Sequence, residues 1–110
     1  MAIAINVFKT VTANVSTVSS EIYTAPSGYT AVVLLAHVSN VGNNTVNITS
    51  NHVRSGVETN IITNAPLPAN DAMTLMSGKM ILQTGDRMNI RASANAAAQI
   101  VLSILETANP

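Results

Sequence analysis

Thr30-Ala31-Val32-Val33-Leu34-Leu35-Ala36-His37-Val38 decides the fold. The run is aliphatic and rich in β-branched residues, and it contains neither Gly nor Pro. It is bounded by turn chemistry on both sides, Ala25-Pro26-Ser27-Gly28 before it and Val41-Gly42-Asn43-Asn44 after it. An apolar run of this length between turn signals is a strand rather than a buried helix. Because the run is continuous, it predicts burial on both faces, or a core face backed by a subunit interface.

Working outward, the same period recurs. Ile3, Ile5, Val7, Val11 and Ala13 fall on one side of an imperfect alternation, and Ser/Thr-rich residues 15–22 follow as a second exposed strand or arm. Val46 and Ile48 alternate with Asn47 and Thr49, while Arg54-Ser55-Gly56 breaks the chain ahead of a short strand at 58–63. Pro66 and Pro68 argue against central pairing in their neighbourhood, since neither can donate to a ladder. Met73–Met76, Met80–Gln83, the alternating Arg87–Ala92 and a closing strand at 99–106 complete the series. Only Ala94–Ala98 favours helix locally, and it is too short for more than one turn. The expected fold is all-β: one antiparallel β-sandwich or jelly-roll-like domain of about eight short strands. Residues 21–110 form that sandwich. Residues 1–20 are either an arm exchanged with a neighbour or the first strand of their own sheet.

Composition narrows the function. Five Lys/Arg and five Asp/Glu stand against thirty-five Asn, Ser and Thr, with zero net charge and 47% hydrophobic residues. Free soluble domains keep about a quarter of their residues charged. So weakly charged a surface suits permanent contact with other protein copies. There is no cysteine and no Trp, and the aromatics are Phe8, Tyr23 and Tyr29. A basic footprint for nucleic acid or anionic lipid is missing, as is any apolar run near the roughly 20 residues that span a bilayer. The first basic residue is Lys9, so the N-terminal residues do not read as a secretion signal.

Chemistry has few candidates. His37 sits inside the apolar run and reads as a core or interface histidine; His52 reads as a polar surface residue. Neither has a Ser elbow or a metal-ligand spacing beside it. Asp71 and Asp86 follow turn signals and are expected to cap them. Arg87 and Arg91 share a strand face, which reads as solvated or salt-bridged, and the methionines at 73, 76, 80 and 88 read as adaptable core packing. No catalytic residue, cofactor or metal is expected, and the chain is not read as an enzyme.

One order of motifs goes further. Ile22-Tyr23-Thr24-Ala25-Pro26-Ser27-Gly28-Tyr29-Thr30 leads into the apolar strand. Asn64-Ala65-Pro66-Leu67-Pro68, then Ser77-Gly78-Lys79, then Leu82-Gln83-Thr84-Gly85-Asp86 follow in sequence. Over residues 20–106 this order resembles small virion structural proteins of tailed bacteriophages. The resemblance implies a non-enzymatic subunit of the virion, assembled in the host bacterial cytoplasm. Within that class the leading expectation is a capsid decoration (cement) protein, a homotrimer bridging subunits of the major capsid protein. A tail, neck or fibre-base adaptor is the alternative, and a carbohydrate-binding attachment module using Tyr23 and Tyr29 is the third reading. The contact residues expected from the arm and the turn are Ile3, Ile5, Val7, Phe8, Tyr23, Pro26 and Tyr29.

Overall fold

The computed structural model describes residues 6–109. The expected contacts Ile3 and Ile5 lie outside these residues. Nine strands make up the described chain: β1 (Asn6–Val15), β2 (Ser20–Thr24), β3 (Tyr29–Asn40), β4 (Val46–Arg54), β5 (Val57–Leu67), β6 (Ala72–Thr74), β7 (Met80–Leu82), β8 (Arg87–Ala92) and β9 (Ala98–Ala108). They form two sheets, and every pairing is antiparallel.

The first sheet runs β1-β9-β3, with β6 and β7 sharing the far edge of β3; the second runs β2-β8-β4-β5. The pairing is nested: β1 with β9, β2 with β8, β3 with β6 and β7, β4 with β5. Counting β6 and β7 as one interrupted strand, this is the double Greek key of a jelly roll. Between the sheets lie Ala31, Val33, Ala36 and Val38 of β3, Ile100, Leu102 and Ile104 of β9, and Ile48, Met88 and Ile90 of the opposite sheet, all at most 1% exposed. Met88 is in the core, and Met73, Met76 and Met80 pack against its margin.

The apolar run is not buried on both faces. Val33 pairs with Ile104 and Leu35 with Ser103, so Leu34 is an extra residue, a β-bulge. Ahead of it Ala31 and Val33 point inward; after it Ala36, Val38 and Asn40 do. Leu34 and Leu35 both lie outside, 37% and 41% exposed. The phase change also narrows the reading of His37 as a core or interface residue: it is exposed on the outer face and not held in the core.

Turns do what their residues dictate. The Tyr29 N–H donates to the Pro26 carbonyl, with Gly28 at φ 80° in the third position, the signature of a type II turn. Ser55 and Gly56 join β4 to β5 with φ values of 51° and 78°, a two-residue turn of the primed kind. Pro66 is accommodated because β5 is an edge strand. Residues 94–97 form bends and a turn rather than a helical turn, with Ala96 at φ 58°.

Candidate functional surface

The two outer faces differ in kind. On the first sheet the register sets Phe8, Leu105, Val32 and Ile81 in one row across β1, β9, β3 and β7. Phe8 is 74% exposed and Ile81 52%. Leu34, Leu35 and Val101 extend the apolar surface along the same face. Where β6 stops and β7 has not begun, β3 is uncovered, and an open groove of about 560 Å³ forms. Leu34, Leu35, Thr74, Met76 and Lys79 line it.

The outer face of the second sheet is polar, with side chains bonded to one another and the Asn51 and Asn89 side-chain carbonyl oxygens left without a partner among the described residues. Asn51 Nδ2 donates to Asn60 Oδ1, Asn60 Nδ2 donates to Thr63 Oγ1, and Thr49 Oγ1 donates to Asn64 Oδ1. Thr49 and Asn51 are buried by these neighbours despite facing outward. Five of the twenty-five Asn and Thr residues are engaged in this network.

Ionisable groups gather at one end. Asp86 is buried, and its carboxylate accepts from Arg54 Nε and Nη2, from the Gln83 N–H at 2.9 Å, and pairs with His52 Nε2 at 3.1 Å. The Arg54 guanidinium, helped by His52 and the Gln83 N–H, holds the Asp86 carboxyl well below the usual carboxylate range against the opposing effect of burial. Asp86 in turn raises the Arg54 pKa. The expected turn cap is present, with an ion cluster added to it. His52 is therefore part of that cluster and half-buried, not a free surface residue. These contacts converge on Oδ2, with Arg54 Nε also reaching Oδ1, and the cluster clamps the β4 end to the β7–β8 turn.

Beside it, Glu106 is buried between Tyr23 and Lys9. The Tyr23 hydroxyl donates to Oε2, and Lys9 Nζ lies 3.1 Å from Oε1. Burial, and then the hydrogen bond to Glu106, push the Tyr23 phenol far above its ordinary value. Arg87 reaches Glu21 at 3.8 Å, an exposed pair. Among the described residues no three of His, Cys, Asp and Glu come together as a metal-holding group, and no helix is long and apolar enough to cross a membrane.

The expected contact residues within the described chain fall at this same end. Asn6, Thr107 and Thr30 share one register row and Val7, Glu106 and Ala31 the next. Phe8 points outward and Val7 inward, half-buried. Pro26 and Tyr29 sit in the adjoining turn, and Tyr23 is turned into the interior. Glu106 carried no local sequence signal, because its partner Tyr23 is 83 residues away.

Fold and surface define a jelly-roll sandwich with an apolar row exposed on one outer face and a polar network on the other. No protein family matches this chain, and no curated protein does. Solved structures do. A subunit of the Bacillus endospore appendages, a family of disulfide-linked pili, is similar over 94% of this chain and 88% of its own, with 15% identity and a TM-score of 0.56. The nucleoplasmin-like N-terminal domain of Drosophila FKBP39 is similar over 100% and 98%, with 12% identity and a TM-score of 0.52. A chain of the T13 IBDV viral particle is similar over 94% of this chain but 31% of its own, with 10% identity and a TM-score of 0.51. At these identities the likeness is one of fold.

Proposed function

We propose that this chain is a non-enzymatic structural subunit of a virion, a decoration (cement) protein of a tailed-bacteriophage head. In this reading it is a homotrimer seated over joints between major capsid protein subunits, assembled in the bacterial cytoplasm. The observation that carries the reading is the uncharged apolar row Phe8–Leu105–Val32–Ile81, left open on one face of an otherwise well-packed sandwich. Contiguous exposed apolar surface of this kind marks a protein contact. Support comes from the jelly-roll topology, an architecture of viral capsid domains, and from the phage-like order of turns. Similar chains build a virus particle and a pilus, both assemblies of many copies. The end carrying Val7, Phe8, Pro26 and Tyr29, continued by Ile3 and Ile5, is the proposed contact with the shell.

The mechanism is thermodynamic. Each copy bound across a joint stabilises the joined state by mass action, and many weak contacts sum over the shell. The test is copy number per purified particle, by quantitative mass spectrometry against the major capsid protein. A ratio of one to a small integer is expected. A few copies per hundred would replace the head with the tail or neck, and absence from the particle would overturn the virion reading.

A further inference from the structure

Every sheet edge is a row of unpaired backbone groups, and folded proteins normally protect such edges. Three of the four edges here are protected. β2 is five residues long, carries Glu21 and is bulged between Glu21 and Tyr23. β5 has two register breaks, Glu58 and Pro66. The far edge of β3 is covered by two three-residue strands with Lys79 between them.

β1 is different. It runs ten residues in unbroken register with β9 and contains no Gly, no Pro and no bulge. Its one charge, Lys9, shares the inward side of the strand and is occupied by Glu106. The core also thins here. Val7, Val11 and Ala13 face inward, yet each remains half-buried, and Val11 and Ala13 pack on the core without being enclosed by it. Both the hydrogen-bond ladder and the apolar layer stop one strand short at this edge.

We propose that the β1 edge is an interface for the β1 edge of a second copy, paired antiparallel about a two-fold axis. The occupant follows from self-complementarity. A two-fold perpendicular to the sheet keeps both cores on the same side, so the half-buried Val7 and Ala13 of each copy cover one another, and Val11 lies against the aliphatic stem of Lys9 of the other copy. Zero net charge adds no long-range repulsion. Register follows too, because opposed residues in an antiparallel pair point to the same face. The axis must therefore pass beside a single residue. Centring on Lys9 would oppose two ammonium groups, which is unfavourable. Centring on Val11 would use Val15, where the chain already turns toward the other sheet and the Ser16 carbonyl accepts from Ala92. Centring on Thr10 pairs Thr10 with itself, Val7 with Ala13, Lys9 with Val11 and the exposed Phe8 with Thr12. This deepens the self-association in the proposed function and rests on that part of it alone. On a shell, the two-fold contact would join one trimer to the next.

The chain has no cysteine, so a single Thr10→Cys variant reports on this contact without background. Opposed residues in such a pair have Cα atoms about 4.5–5.5 Å apart, inside the disulfide range. Mild oxidation of the purified variant should give a covalent dimer as the main species on a non-reducing gel. Thr59→Cys on the protected β5 edge should stay largely monomeric. Cross-linking of Thr10→Cys no faster than Thr59→Cys would overturn the proposal. A Thr10→Lys/Thr12→Lys double variant should keep the β-sheet circular dichroism signal and self-associate at least about tenfold more weakly by sedimentation. An unchanged association constant in that folded variant would also overturn it. Neither result bears on copy number in the particle, so failure here and failure of the virion reading are separable.

Discussion

The Tyr23 hydroxyl donates to the Glu106 carboxylate across the sandwich, from β2 of one sheet to β9 of the other. Backbone hydrogen bonds hold each sheet internally, but between sheets most of the adhesion is non-directional apolar packing. This pair is a directional tie, and Lys9 supplies the counter-charge. Tyr23→Phe keeps the ring and removes the donor. A hydrogen bond to a charged group contributes about 1.5–3 kcal/mol. With Lys9 still in place, the expected loss is about 2 kcal/mol, read as a lower urea midpoint at unchanged m-value.

Asp86 gives the protein an acid limit. Its folded-state pKa lies below the ordinary value of 3.8, so its stabilisation is present above that value. The stabilisation is lost as pH falls through the folded-state pKa. Wild-type stability should therefore fall below about pH 4. Asp86→Asn should be less stable at pH 7 and should show a shallower acid slope in urea titrations between pH 5 and 2. At pH 7 the loss should be roughly 2 kcal/mol, under the roughly 3–5 kcal/mol of a fully buried pair, because Arg54 stays half exposed.

The bulge in β3 makes an unusual prediction about deletions. Removing Leu34 leaves Val33, Ala36 and Val38 facing inward in regular alternation, so the shortened chain should fold. Removing Val32 reverses the facing of either Ala31 or Val33 relative to its neighbours, and that chain should be insoluble or unfolded. Circular dichroism and gel filtration of the two single-residue deletions separate these outcomes.

How much was legible follows from the same bulge. The class of fold, the strand at 30–38 and most turn positions are written in local chemistry: period, β-branching, Pro-Ser-Gly, Ser-Gly. An extra residue inside a run of like residues leaves no trace in a pattern where every position is apolar. The facing of the second half of β3 is therefore unreadable from sequence, and of the two readings of His37, core or interface, only the core is excluded by its exposure. His52 was misread for another reason. Its partner Asp86 belongs to a turn 34 residues on, and nothing local announces the meeting. Turn capping by Asp86 was legible because it reaches back only to the Gln83 N–H. Nesting was not legible, since sequence shows where strands lie and leaves their partners open.

The β4–β5 turn offers a gain. Ser55 and Gly56 both hold positive φ, a conformation that Asn-Gly satisfies better than Ser-Gly. Ser55→Asn should stabilise by about 0.5 kcal/mol. Gly56→Ala should destabilise by about 1 kcal/mol through backbone strain alone, as no atom lies within 4 Å of the added methyl. Thermal unfolding of both variants provides the comparison.

In the core, Leu102 is fully buried on β9, which runs between β1 and β3. Leu102→Ala should cost about 3 kcal/mol, combining lost transfer energy with the cavity left between two sheets. The double variant with Ser55→Asn should add within about 0.5 kcal/mol if the two sites are independent, as measured in one denaturant series.

The pairing of the first described strand with the last has a consequence during synthesis. Val15 is opposite Ala98, so the ribosome must deliver everything between them before β1 can find its partner. At about 5–20 residues per second that wait is roughly 4–17 s. Throughout it a ten-residue strand waits without its partner, its single charge Lys9 not yet matched by Glu106, and β3 has only the short β6 and β7 to pair with. Folding is gated by translation of the final strand. Crowding of nascent chains, rather than stability of the finished sandwich, would then set how much protein survives to assemble.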